Sequence, residues 1–158
     1  DDLVDWTWRR GAPFARQAHP VDIDVTGFEG VFGWPSTALE ITGGYAWLYK
    51  DADYGDAEGD ASYYALNFAE HRLTLAAAWQ PLENWDLRLD NEYRLHGENA
   101  LRSSRDRAWI AAASIAWQPA RSFQLRLIAD NLADSDFQEF PGTPPVGRQL
   151  SLGLAYDW

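Results

Sequence analysis

The 158-residue chain contains no cysteine, no methionine and only three histidines. Without cysteine there is no disulfide framework and no thiolate metal site, which is compatible with an extracytoplasmic location. No apolar run is long enough for a transmembrane helix, and no charged-then-apolar leader is present. Cations are also scarce: 13 Lys and Arg against 24 Asp and Glu leave a net charge of -11, which argues against a nucleic-acid partner. His19, His71 and His96 lie far apart with no ligand spacing and read as solvated or locally bonded side chains. Neither a nucleophile motif nor a phosphate-binding glycine loop appears, so an enzyme is not expected, nor a cofactor. The length suits one domain with a sizeable core. Because it opens on Asp1 and lacks Met, the chain is read as a processed product or a piece of something longer.

What is abundant is aromatic. Phe, Trp and Tyr make up 15% of residues and nine are Trp, a load that suits places where one end of a ring meets hydrocarbon and the other meets water. The last eleven residues organise the chain. Leu150, Leu152, Leu154, Tyr156 and Trp158 alternate with Gln149, Ser151, Gly153, Ala155 and Asp157, which places the apolar side chains on one face of a strand. Seven further strands are expected, over Leu3 to Arg9, Val21 to Trp34, Leu39 to Tyr49, Arg72 to Trp79, Trp85 to Tyr93, Ala108 to Trp117 and Phe123 to Asp130. The fourth has room to begin as early as Tyr63. In the second, Val21, Ile23 and Val25 share one face and Phe28, Phe32 and Trp34 the next, so a bulge is expected near Thr26-Gly27. No helix is expected. The reading is all-β and antiparallel, with about eight strands near the nine to eleven residues that a tilted membrane-spanning strand needs.

Two regularities go beyond alternation. Connections at Pro35 to Thr37, Gln80 to Asn84 and Pro119 to Ser122 are short, whereas Gly11 to Pro20, Lys50 to Ser62, His96 to Asp106 and Leu132 to Gly147 are long. Outer-membrane barrels sort their loops in this way, with short turns on the periplasmic side. The tryptophans follow the same division. Trp34, Trp79, Trp117 and Trp158 end strands that run towards the short turns, and Trp85 and Phe123 start strands from that side. Trp34, Trp79, Trp85, Trp117 and Trp158 are therefore expected to form a membrane-interface girdle. A Trp-Gln-Pro tripeptide recurs at Trp79 and Trp117 and marks a hairpin repeat.

Ser151, Gly153, Tyr156 and Trp158 resemble the assembly signal that ends outer-membrane barrel proteins, although that signal usually ends in Phe. The Asp5-Trp6 strand, Gly27-Phe28-Glu29, the Tyr64 to Leu73 stretch with Asn67 and His71, and Asn131-Leu132, Phe137, Pro141-Gly142 and Gly147-Arg148 together resemble the C-terminal part of a TonB-dependent outer-membrane receptor. That family commonly has Pro where Ala69 and Val146 stand, and aromatics at the positions of Ala133 and Phe137. The resemblance implies that residues 1–158 form the last part of a 22-strand barrel, with the plug outside this chain and TonB reached only through that plug. It also implies outer-membrane lipid, the remainder of the barrel and the barrel-assembly machinery as partners. The implied location is the bacterial outer membrane, and the implied function is uptake of a scarce nutrient such as a siderophore or cobalamin-type metal chelate.

Two polar clusters carry alternatives. Asp51, Asp53, Asp56, Glu58 and Asp60 offer hard oxygen ligands of the kind Ca²⁺ takes, but lack the EF-hand order; a solvated acidic loop is the plainer reading. Asp86, Arg88, Asp90, Glu92 and Arg94 share one face of the fifth strand, as a hydrated lumen-facing ladder pairing with Arg72, Gln124 and Arg126, or as a surface touching a plug or passing substrate. Against the receptor stand two other readings. One is a self-contained eight-stranded barrel with an adhesin or structural role. It is disfavoured because Ala108, Ala112, Ser114 and Ala116 fill little of a narrow interior. The other is a soluble β-sandwich or lipocalin-like binder, which would dissolve without detergent.

Overall fold

A computed structural model describes residues 3–11, 16–56 and 59–157. Its strands are β1 (Leu3–Trp8), β2 (Gln17–Pro35), β3 (Leu39–Asp53), β4 (Ala61–Ser62), β5 (Ala69–Leu82), β6 (Trp85–His96), β7 (Arg107–Ala120), β8 (Phe123–Asp130) and β9 (Gln149–Tyr156). No helix forms among the described residues. All nine strands join one sheet in the order β4-β1-β2-β3-β5-β6-β7-β8-β9, and every pairing is antiparallel. The sheet is open: β9 pairs with β8 alone, and β1 with β2 and β4. The β1–β9 seam that a closed eight-strand barrel needs is not made.

Connections keep their alternation. Ser36 to Ala38, residues 83–84 and residues 121–122 join strands at one end, while the longer segments all lie at the other. Several expected boundaries move. β2 starts at Gln17 and β3 runs on to Asp53, so the loops at 11–20 and 50–62 are shorter than the sequence suggested. β5 starts at Ala69, well after Tyr63, and the two-residue β4 is an element that alternation had no power to reveal. Of β2, only residues 17–21 at its long-loop end pair with β1; the other full-length strands extend to the short turns.

The bulge expected at Thr26-Gly27 is absent. Pairing of β2 with β3 runs without a shift from Asp22↔Asp53 to Pro35↔Glu40. The apolar residues change sides because the surroundings change with height. Val21 is buried with Asp5 and Thr7 at the long-loop end, where loops cover the polar face. Below it, Phe28, Phe32 and Trp34 project from the opposite, open face. Irregular register occurs instead at Ala69/His71, at the start of β5, and at Trp79/Leu82 and Trp117/Ala120, on the two Trp-Gln-Pro repeats. Proline has no N–H for the ladder, so it sits where pairing is already broken.

Register carries the alternation across the whole sheet. Trp34 faces Ile41, Ile41 faces Ala77, Ala77 faces Leu89, Leu89 faces Ala113, Ala113 faces Ala129, and Ala129 faces Leu150. Directly opposed residues share a face, so one side of the sheet is continuously apolar. It is also open: Leu150, Leu152 and Leu154 are 71%, 68% and 69% exposed. The buried set is small and lies under the long loops and along β7; besides Val21 it holds Tyr63, Ala108, Ala111, Ala116 and Phe137 together with the polar Asp5, Thr7, Ser62, His96, Arg102 and Gln138. An exposed apolar face backed by so little interior is the inverse of a water-soluble domain.

Candidate functional site

The apolar face is bounded by aromatics at both ends. Trp34, Trp79, Trp85 and Trp117 all lie on it at the short-turn end, and register brings Phe123 and Tyr156 alongside them. Trp85 and Trp117 are direct cross-strand partners whose rings stack at 5.9 Å. Trp158, expected in the same row, lies outside the described residues. A second row, which sequence reading missed, runs at the long-loop end: Tyr45, Trp47, Tyr49, Tyr93 and Trp109. Eight steps from Trp85 to Tyr93 on β6, and ten on β3 from Leu39, the partner of Trp79, to Tyr49, give roughly 26–33 Å at ~3.3 Å per step, or about 20–25 Å at a tilt of about 40°. That matches the apolar band of a membrane barrel.

Two polar pairs form on this face. Trp109 Nε1 donates to Asn91 Oδ1 at 3.3 Å, and Tyr45 hydrogen-bonds His71 Nδ1 at 2.7 Å with the two rings stacked. Beyond the upper aromatic row the same face turns acidic: Asp22 stands opposite Asp53, and Asp24 opposite Asp51. Asp51 and Asp53 are thus strand residues. Asp60 instead accepts from the Arg10 amide at 2.7 Å, and Asp53 from that of Gly55 at 2.8 Å. Glu58 lies outside the described residues. Among the described residues Asp51, Asp53, Asp56 and Asp60 are not assembled as one centre, and no group of three or more His, Cys, Asp or Glu is placed to hold a metal.

Asp86, Arg88, Asp90, Glu92 and Arg94 all project from the polar face. Arg88 makes a two-pronged bond to Asp90 at 2.7 and 2.8 Å. Glu92 accepts from both Arg72 and Arg94, and Arg94 also reaches Glu139 at 2.9 Å. Asp86 accepts from Gln80 at 3.2 Å. Arg72 is the expected partner; Gln124 and Arg126 lie on the same face without bonding the ladder among the described residues, since the small side chains of β7 separate them from β6. Ser151 and Gly153 occupy the polar face of β9 and Tyr156 the apolar face. A side chain at Gly153 would meet nothing closer than Arg126 at 3.9 Å, so packing within the sheet does not require glycine there.

The strongest polar centre went unread in the sequence. Asp5 is 1% exposed. Its carboxylate accepts from Ser62 Oγ at 2.6 Å, Tyr54 Oη at 2.7 Å, the Trp6 amide at 2.8 Å and the Ala65 amide at 3.1 Å. Burial, and then the Asp5 carboxylate itself, push the Tyr54 phenol up to about 12. A second centre joins three long connections. Arg102, whose side chain is 1% exposed, donates to Asp106 at 2.7 Å and to Asn67 Oδ1 at 2.6 Å. Gln138 Oε1 accepts from the Ser103 amide at 2.9 Å, and Asn67 donates to the Glu139 carbonyl at 2.9 Å. His96 packs beneath Phe137 with centroids 5.4 Å apart. Between the loops and the sheet lies a groove of about 660 Å³, lined in part by Glu29, Asn67, Phe68, Arg72, Arg94 and Glu139.

No family model and no curated protein matches the chain. Among solved structures, it is similar to the crystal structure of the ferric-catecholate import receptor Fiu from E. coli K12 in its closed form. The TM-score is 0.60 at 18% identity, over 96% of this chain. The chain spans 23% of that receptor's length. The fold of this chain is therefore that of a stretch of receptor barrel wall, the architecture its resemblance to TonB-dependent receptors implies.

Proposed function

We propose that the chain is wall from an outer-membrane receptor that takes up a scarce nutrient, a metal chelate of the siderophore or cobalamin type, and that it has no catalytic role. The observation that carries this reading is the apolar face: open, continuous over the sheet, and closed above and below by aromatic rows about 20–25 Å apart. Hydrocarbon demands that a spanning sheet satisfy its own backbone, so β2 and β9 would each be paired by further strands of the same wall. Lipid covers the apolar face, the assembly machinery reads Ser151, Gly153, Tyr156 and Trp158, and a plug on the polar face gates passage and receives TonB. The long connections face outside, where the groove beside Arg72 and Arg94 would meet incoming ligand.

The test is uptake of radiolabelled ferric catecholate by cells that carry or lack the full-length gene, with the product traced by membrane fractionation. Lost uptake together with outer-membrane fractionation is expected. A product recovered without detergent in the soluble fraction would refute the reading. Arg88→Leu separates the two roles of the ladder: normal assembly and uptake support a structural, hydrating role, whereas lost uptake in a folded protein assigns it to plug or substrate contact.

A further inference from the structure

The edge of β1 that faces away from β2 is already occupied. The Tyr63 amide donates to the Trp6 carbonyl at 2.9 Å and the Asp60 amide to the Trp8 carbonyl at 2.8 Å. Thr7 and Trp8 pair in antiparallel register with Ser62 and Ala61, and the Arg10 amide reaches Asp60 at 2.7 Å. The segment arrives there from β3, two strands away in the sheet, and returns to β5 on the far side of β3. Its described residues are held at several points. Asp5 binds it through Tyr54, Ser62 and Ala65, Ser62 Oγ accepts from the Leu66 amide at 3.0 Å, and Asn99 of another connection donates to the Ser62 carbonyl at 2.7 Å. At Gly59 a methyl group would stand 3.1 Å from Thr7 Cβ, so the backbone lies hard against β1.

We infer that residues 60–63 form a fixed rim strand of the wall. They close the far edge of β1 from Trp6 to Trp8, so the neighbouring strand of the complete barrel pairs with β1 only below Trp6. The rim steps down at this point, and the chain fills the step from its own connection. Residues 54–56 and 59–68 are then part of the wall at the long-loop end and do not swing across the polar face. An exposed strand edge templates unwanted pairing, and covering it with a loop is a recognised remedy; here the cover is itself a strand. This inference rests on the chain being wall of a larger barrel.

Cysteine pairing in the full-length receptor, in outer membranes, tests it. This chain has no cysteine of its own. Trp8→Cys with Ala61→Cys places thiols on register partners of β1 and β4, and Glu40→Cys with Ala78→Cys does so for β3 and β5. Directly paired strand residues bring Cα atoms to about 4.5–5.5 Å, within disulfide range. Both disulfides are expected to form in most molecules under mild oxidation. No rim disulfide in a receptor whose β3–β5 disulfide forms would overturn the rim strand and leave the wall standing. Failure of both pairs would overturn the wall and the inference with it.

Discussion

Replacing Asp5 with alanine removes the acceptor on which the connection between β3 and β5 converges. Three of the four donors come from that connection: the Tyr54 and Ser62 hydroxyls and the Ala65 amide. A hydrogen bond to a charged group contributes about 1.5–3 kcal/mol net, so three together exceed about 4 kcal/mol. The loss saturates at the free energy of opening this segment, because water satisfies the donors once it lifts away. At about 1.4 kcal/mol per factor of ten, exchange of the Asp60 and Tyr63 amides, which donate to the Trp8 and Trp6 carbonyls, should accelerate roughly a hundred- to a thousand-fold. Hydrogen exchange with mass spectrometry on the refolded protein in lipid reads this directly. The phenol of Tyr54 supplies an independent signal. Its folded value of about 12 lies above the ordinary 10.0, so its contribution to stability is complete below pH 10 and is lost as pH rises through 12. A late tyrosinate step in the ultraviolet titration should move down towards pH 10 in the variant. Unchanged exchange at Asp60 and Tyr63 in a folded Asp5→Ala protein would refute the account.

Other perturbations test the two faces. A methyl group at Gly43 would stand 2.1 Å from the far edge of the exposed Phe32 ring, which has to swing aside, so Gly43→Ala should cost about 0.5–1.5 kcal/mol in urea unfolding from lipid; Phe32→Ala in the same chain should recover part of that loss. Asp24→Asn removes one of two like-charged partners set directly opposite each other, and should raise stability by roughly 0.2–1 kcal/mol. That gain should vanish at high salt, and a gain indifferent to salt would assign it to something other than repulsion. Glu92→Gln weakens the bonds from Arg72 and Arg94. Because Arg72 is half exposed, the expected loss is only about 1–2 kcal/mol, and a double-mutant cycle with Arg94→Gln should show coupling.

The parts legible in the sequence are those where one environment governs a whole strand. β8 and β9 each keep one apolar face along their length, and alternation places their residues correctly; the partnership of Phe123 with Tyr156 came only from register. β2 leaves that band, and a period of two read without depth turned a change of surroundings into a bulge. The ladder on β6 was legible because lone charges against hydrocarbon are excluded, which leaves one face for all five. Asp5 was not, since a single carboxylate in a strand gives no local sign that donors 49, 57 and 60 positions away will meet it. The upper aromatic row escaped because only register shows Tyr45 to be level with Tyr93 and Trp109, with Trp47 and Tyr49 just above them.

The side-switch in β2 also sets a waterline. Sliding the strand outward by two residues would carry Phe28 towards the water, while sliding it inward by the same step would draw Asp24 and its partner Asp51 towards the hydrocarbon, where an aspartate costs about 2.5–3.5 kcal/mol at full depth. Either displacement is opposed, so the β2–β3 hairpin has one preferred depth and holds its neighbours there through an unbroken ladder. Draught, in the sense used of a hull, is written into this chain as four carboxylates above a row of rings.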